Sequence, residues 1–149
     1  MHSFQETRIL PYSASVINDV IIDIEKYPEF LPWCKSARIL SSDDSCIVAE
    51  LEISFQGFVE KYKSMVFVSH DSDNYSVRVE GISGPFKYLE NIWSIKQLYN
   101  KAEVRFLIKF ELKSKILDVI MGKAFLFISK KLVNAFEDRA KILSARGQV

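Results

Sequence analysis

The spacing of apolar residues changes twice along the 149-residue chain, and no other feature limits its fold as much. Between Ser13 and about Glu25, Val16, Ile17, Val20, Ile21 and Ile24 recur at three- and four-residue intervals, which gives a helix one buried face. From Ser36 to about Leu112 the interval is two. Ile47, Ala49, Leu51, Ile53 and Phe55 alternate with Val48, Glu50, Glu52, Ser54 and Gln56; Val104, Phe106, Ile108, Phe110 and Leu112 alternate with Arg105, Leu107, Lys109 and Glu111. Such alternation belongs to strands with one apolar face turned inward. After Ser114 the helical interval returns through Leu117, Met121, Ala124, Phe125, Ile128, Leu132, Phe136 and Leu143, and predicts one helix of about thirty residues ending near Ala145.

Local signals divide these regions further. Phe4 to Leu10 reads as a first strand, stopped by Pro11, with Ser13 as N-cap of the first helix. Lys26, Tyr27 and Pro28 end that helix, because the residue before a proline avoids the helical region. Pro28 to Cys34 is expected to form a short second helical turn. Turn residues at Ser42-Asp43-Asp44, Gln56-Gly57, Asp71 to Asn74, Ser83-Gly84-Pro85 and Tyr99-Asn100 separate hairpin-linked strands. The order is strand, two helices, six strands, long helix. It predicts a single α+β domain over 1–149, with a curved antiparallel sheet of about seven strands gripping the C-terminal helix. A sheet so curled encloses more volume than one helix fills, so an apolar cavity is expected. Gly122 weakens the long helix by about 1 kcal/mol relative to alanine, a cost that fits close approach to the sheet or to a ligand.

With 48% hydrophobic residues, eleven Phe and six Tyr, the chain builds a core without disulfides or metals, and the same rings suit a pocket wall. Cys34 and Cys46 match neither a zinc spacing nor a disulfide framework and fit a reducing cytoplasm. Met1 to Leu10 shows neither a secretory signal nor a transit peptide, so the fold is expected to begin at the first residues. The most apolar stretch, Ile116 to Phe136, is broken by Asp118, Lys123, Lys130 and Lys131 and is not expected to span a membrane. Charge is uneven although the net is +1: residues 1–112 hold 12 Lys and Arg against 16 Asp and Glu, and residues 113–149 hold 8 against 3. The last helix is a basic arm on a mildly acidic body. Its Lys123, Lys130 and Lys131 are candidates for contact with an anionic surface, against the simpler reading of a solvated helix face.

Catalytic groupings are sparse. General-base chemistry needs a base held near its partner, and both histidines, His2 and His70, read as solvated. Asp43-Asp44 reads as a turn and Glu50 with Glu52 as a wet strand face, neither a metal site. Cys34 reads as a buried packing residue with no neighbour to lower its pKa. A binding protein is expected, not an enzyme.

Three stretches carry a family resemblance. Tyr27-Pro28-Glu29-Phe30-Leu31-Pro32-Trp33-Cys34 resembles the Tyr-Pro-x-Phe-Leu-Pro-x-Cys signature of the coenzyme Q-binding and ribosome association toxin family, within the START-like or helix-grip superfamily. Gly84-Pro85-Phe86-Lys87-Tyr88-Leu89 followed by Trp93 is similar to its Gly-Pro-Phe-Lys-x-Leu strand start. Phe110 to Leu117 and Ala135 to Ala140 resemble its last strand and helix end, with Leu112 standing where Phe is usual. Trp33-Cys34-Lys35 leans towards the ubiquinone-binding branch. The resemblance implies a helix-grip fold that binds and transfers or chaperones a hydrophobic isoprenoid or lipid, ubiquinone first among them, in support of respiratory electron transport. It requires no cofactor. The same resemblance admits a regulator that binds the large ribosomal subunit and blocks subunit association, and, more distantly, a polyketide cyclase or aromatase, whose acid and base are missing. It further implies a cytoplasmic protein, peripheral at the inner face of the membrane, with no DNA partner. Phe30, Leu31 and Trp33 stand on a rigid turn between two prolines, at a cavity mouth or as a core plug. Phe86 and Trp93 share that ambiguity. With Phe106, Ile108, Phe110, Met121 and Phe125 they form the candidate ligand-binding set.

Overall fold

In a computed structural model that describes residues 1–147, Ser13 caps the first helix as its position suggests. Its hydroxyl accepts a hydrogen bond from the Val16 amide at 3.3 Å. Gln148 and Val149, the end of the domain expected over 1–149, lie outside the described residues. A strand β1 (His2–Leu10) precedes helix α1 (Ala14–Ile22) and a 3-10 helix (Ile24–Glu29). Six strands come next: β2 (Cys34–Ser42), β3 (Cys46–Phe55), β4 (Phe58–Asp71), β5 (Asn74–Ser83), β6 (Phe86–Leu98) and β7 (Lys101–Leu112). Helix α2 (Lys115–Gly147) closes the chain.

The seven strands form one antiparallel, curved sheet in the order β1-β7-β6-β5-β4-β3-β2, a meander whose last strand takes the first as its neighbour. His2 lies opposite Phe110 and Leu10 opposite Ala102 in that final pairing. Inward positions follow the two-residue period: Val104, Phe106 and Phe110 are buried and Ile108 is half-buried. Gly84 is needed at its turn. Its φ is +105°, and a side chain there would meet Tyr62 and the Lys61 carbonyl.

The stretch between α1 and β2 departs from the sequence reading. α1 stops at Ile22, where Asp23 leaves helical geometry, three residues before Glu25. The expected second helical turn over Pro28 to Cys34 is displaced: the 3-10 helix takes Ile24–Glu29 with Pro28 inside it, and Phe30 to Trp33 is an irregular turn. Tyr27 explains the shift. Its hydroxyl donates to the Ile21 carbonyl, left open at the end of α1, and its ring packs edge-on against Phe30 and Phe136. The corner is therefore built around a half-buried tyrosine instead of around the two prolines.

Two apolar clusters fill the space between sheet and helices. The larger joins α1, the C-terminal half of α2 and strands β3 to β7 around Trp93, Phe106 and Phe136. The smaller consists of Leu89, Phe110, Leu112 and Phe125, under the N-terminal half of α2.

Candidate functional site

Beside the smaller cluster the interior is hollow. A cavity of about 180 Å³ lies between the sheet and the N-terminal half of α2. Trp33 before β2, Ile53 and Phe55 of β3, Phe58 and Tyr62 of β4, and Phe86 and Leu89 of β6 form its walls, with Ile108, Phe110 and Leu112 of β7. Met121, Phe125, Ile128, Ser129 and Leu132 of α2 form the remaining side. The rings meet edge to face: Phe110 on Phe125 at 4.9 Å, Tyr62 on Phe86 at 5.1 Å and Trp33 on Phe55 at 5.8 Å.

Of these side chains only Trp33, Tyr62 and Ser129 carry nitrogen or oxygen. Ser129 is 2% exposed, and its position turns one hydroxyl to an otherwise greasy wall. Burial pushes the Tyr62 phenol upward, so it remains a neutral hydrogen-bond donor. Burial also raises the Cys34 thiol to about 11, which keeps it protonated at neutral pH and a poor nucleophile. The site is suited to holding an apolar group with a polar edge.

One end of the pocket is tied down by the first residues of the chain. The His2 ring stands 5.0 Å from that of Phe110 and 5.8 Å from that of Phe125, and its Nε2 lies 3.1 Å from the Asp118 carboxylate. This corrects the reading of His2 as solvated. Gly122 supplies the reason for its own presence: a Cβ there would overlap the His2 ring. Asp118 also accepts from the Leu112 amide at 2.9 Å, and that bond, with His2 beside it, holds its carboxyl below the usual aspartate value. His70, by contrast, is exposed and stacks on Tyr75 at 4.2 Å. Asp43 accepts from the Ser45 and Cys46 amides and shapes its turn.

The sequence profile of the family described as "Polyketide cyclase / dehydrase and lipid transport" matches residues 10–137. The chain belongs to that family. The "Ribosome association toxin RatA" of Rickettsia prowazekii (strain Madrid E) is 42% identical to this chain over 143 residues, 95% of this chain and 97% of the relative. The "Coenzyme Q-binding protein COQ10 homolog B, mitochondrial" of Xenopus laevis is 28% identical over 151 residues, 98% of this chain and 61% of the relative. Among solved structures, a START superfamily protein from Mycobacterium smegmatis superposes with a TM-score of 0.81 at 21% identity, covering 96% of this chain and 99% of that one. That likeness establishes the START-like fold.

Within this family member the ten candidate ligand-binding residues separate into two groups. Trp33, Phe86, Ile108, Phe110, Met121 and Phe125 converge on the pocket. Phe30, Leu31, Trp93 and Phe106 do not: Phe30 packs edge-on against Phe136, Leu31 is buried in the larger cluster, and Trp93 meets Phe106 edge to face at 4.7 Å in that same cluster. A short step along β6 or β7, from Leu89 to Trp93 or from Phe110 to Phe106, leads from wall to core. The rest of the wall lies outside the candidate set: Tyr62, Ser129 and the hairpin residues Phe55 and Phe58, with the aliphatic Ile53, Leu89, Leu112, Ile128 and Leu132, although the alternation in β3 and the helical interval in α2 place several of them nearby. Lys123, Lys130 and Lys131 are exposed and stand apart from the lining.

Proposed function

We propose that this chain binds a hydrophobic isoprenoid or lipid, ubiquinone in the first instance, and carries or chaperones it without chemical change. The pocket is the observation that carries this reading: its walls are aromatic and aliphatic, with two hydroxyls and one indole nitrogen as the polar exceptions. A cavity of about 150 Å³ takes a benzene-sized guest. At about 180 Å³ this one accepts a single substituted ring or a few branched carbons, and a longer tail must leave by an opening. The family description, which includes lipid transport, and the COQ10 relative support the same reading. Among the described residues no base stands on the pocket wall, which disfavours the cyclase alternative.

A second reading is favoured by a different observation, the RatA relative at 42% identity: regulation of translation through the large ribosomal subunit. An apolar pocket is compatible with both. Organic extraction of the purified protein followed by mass spectrometry is expected to yield a quinone or lipid at near one equivalent. An extract without any apolar compound, together with salt-sensitive co-sedimentation with large subunits, would decide for the second.

A further inference from the structure

The outward face of α2 is not the polar surface that a helix covering a sheet normally presents. Ile116, Val119, Ile120, Leu126 and Phe127 are each more than half exposed, while Leu117, Met121, Phe125 and Ile128 occupy the inward side. At 3.6 residues per turn the five exposed residues and Lys123, Lys130 and Lys131 fall within an arc of about 140° over a length of roughly 23 Å. Among the described residues no ion pair involves those three lysines. The Lys131 ammonium instead rests 4.7 Å from the centre of the Phe127 ring. Apolar side chains interleaved with uncompensated cations form a surface whose complement is apolar beneath and anionic above.

A groove joins this face to the pocket. It runs between the β3–β4 hairpin, Phe55 to Glu60, and Leu117, Ile120 and Met121 of α2. Phe55, Phe58 and Met121 line both groove and pocket, so the pocket opens beside the exposed helix face. Val59, half exposed, stands at the lip opposite Ile120, and Glu60 is the one acidic residue of the groove.

We propose that the outward face of α2 from Ile116 to Lys131, with Val59 across the groove, docks on an anionic phospholipid bilayer. The apolar side chains enter the boundary between headgroups and acyl chains, and the lysines meet lipid phosphates. Docked so, the groove lets an apolar tail pass between bilayer and pocket without crossing water. A polyanionic nucleic acid would match the lysines and leave the five apolar side chains against water. A second copy, paired symmetrically through this face, would set its lysines against like charges. The inference deepens the carrier reading, on which its purpose rests.

Flotation with vesicles of phosphatidylcholine, with and without phosphatidylglycerol, tests it on the full chain. Wild type should float with the anionic vesicles, and less as salt rises, because a Debye length of about 8 Å at physiological salt screens the lysines. V119S/L126S/F127S alters residues that line neither pocket nor groove and should lower the bound fraction at least about tenfold. K123E/K130E/K131E should do the same for anionic vesicles, and thermal melts of both variants should match wild type. The proposal is overturned if wild type stays unbound or if V119S/L126S/F127S floats as well as wild type. It is equally overturned if sedimentation shows a wild-type dimer that the serine variant dissolves while neither floats. Lipid extraction of the same samples keeps the two ideas apart: flotation without extractable ligand sinks the carrier reading alone, and extractable ligand without flotation sinks the docking surface alone.

Discussion

The two ends of the interior are made from the same strands and the same helix, yet one is solid and the other hollow. Around Trp93, Phe106 and Phe136 the remaining space is a cleft of about 20 Å³, whereas around Phe110 and Phe125 it is about 180 Å³. α1 makes the difference. Its Ile17, Val20 and Ile21 fill the angle between sheet and α2 at the first end, and nothing equivalent stands at the second. The lesson is that a curled sheet under a single helix leaves volume, and that a second helix decides where along the strands it is taken up.

Truncation should separate the two ends most strongly. Phe136→Ala removes a ring packed on Tyr27, Phe30 and Trp93 and should cost about 3 to 5 kcal/mol. Phe125→Ala, beside existing free volume, should cost clearly less, because fewer contacts are there to lose. Equal shifts of the denaturation midpoint would remove the distinction. Filling comes next. Ala49 is fully buried in the larger cluster, so Ala49→Trp should destabilise by about 1 to 3 kcal/mol or more. Ile108→Trp grows into the pocket; it should fold with little loss and fail to retain extractable ligand. Retention undiminished in Ile108→Trp would mean that the hollow is not where the ligand sits.

Smaller effects probe the polar edge and the tether. Ser129→Ala should leave the melting temperature unchanged and weaken binding of a short-chain quinone by about 1 kcal/mol, read from quenching of Trp33 fluorescence in a Trp93→Phe background. A matched hydrocarbon should bind both proteins alike. Beside His2, Asp118 is held below the ordinary aspartate value of 3.8, so its stabilisation is complete above that value and drains away as the pH falls through the folded one. Wild type should therefore lose more stability than Asp118→Asn when acidified from pH 5 towards 3, and parallel acid titrations would contradict the tether.

Alternation along β3 and β7 and the helical interval in α2 made the sheet, its grip on the last helix and the existence of a cavity legible from the chain alone. Periodicity says which side of an element faces inward, not what stands opposite. Trp93 and Leu89 share one face of β6, and only the position of α1 makes the first core and the second wall. The outward apolar residues of α2 were present in the sequence, but a search for one buried stripe passes over a second stripe on the same helix. His2 was opaque for a similar reason, since its partners Asp118 and Gly122 lie more than a hundred residues away.

The pairing of β1 with β7 also sets a timetable. The first strand is synthesised long before its partner, and Phe4 has no neighbour until Ile108 has been made. At roughly 5 to 20 residues per second, β1 waits of the order of five to twenty seconds with its backbone groups unpaired. Sheet closure is thus the most non-local step of folding, where loop entropy is spent before any contact repays it. Glu6 and Arg8 are charges on the inward side of β1, Arg8 pairing with both Glu6 and Glu137, and they make the waiting strand a poor template for a stray neighbour.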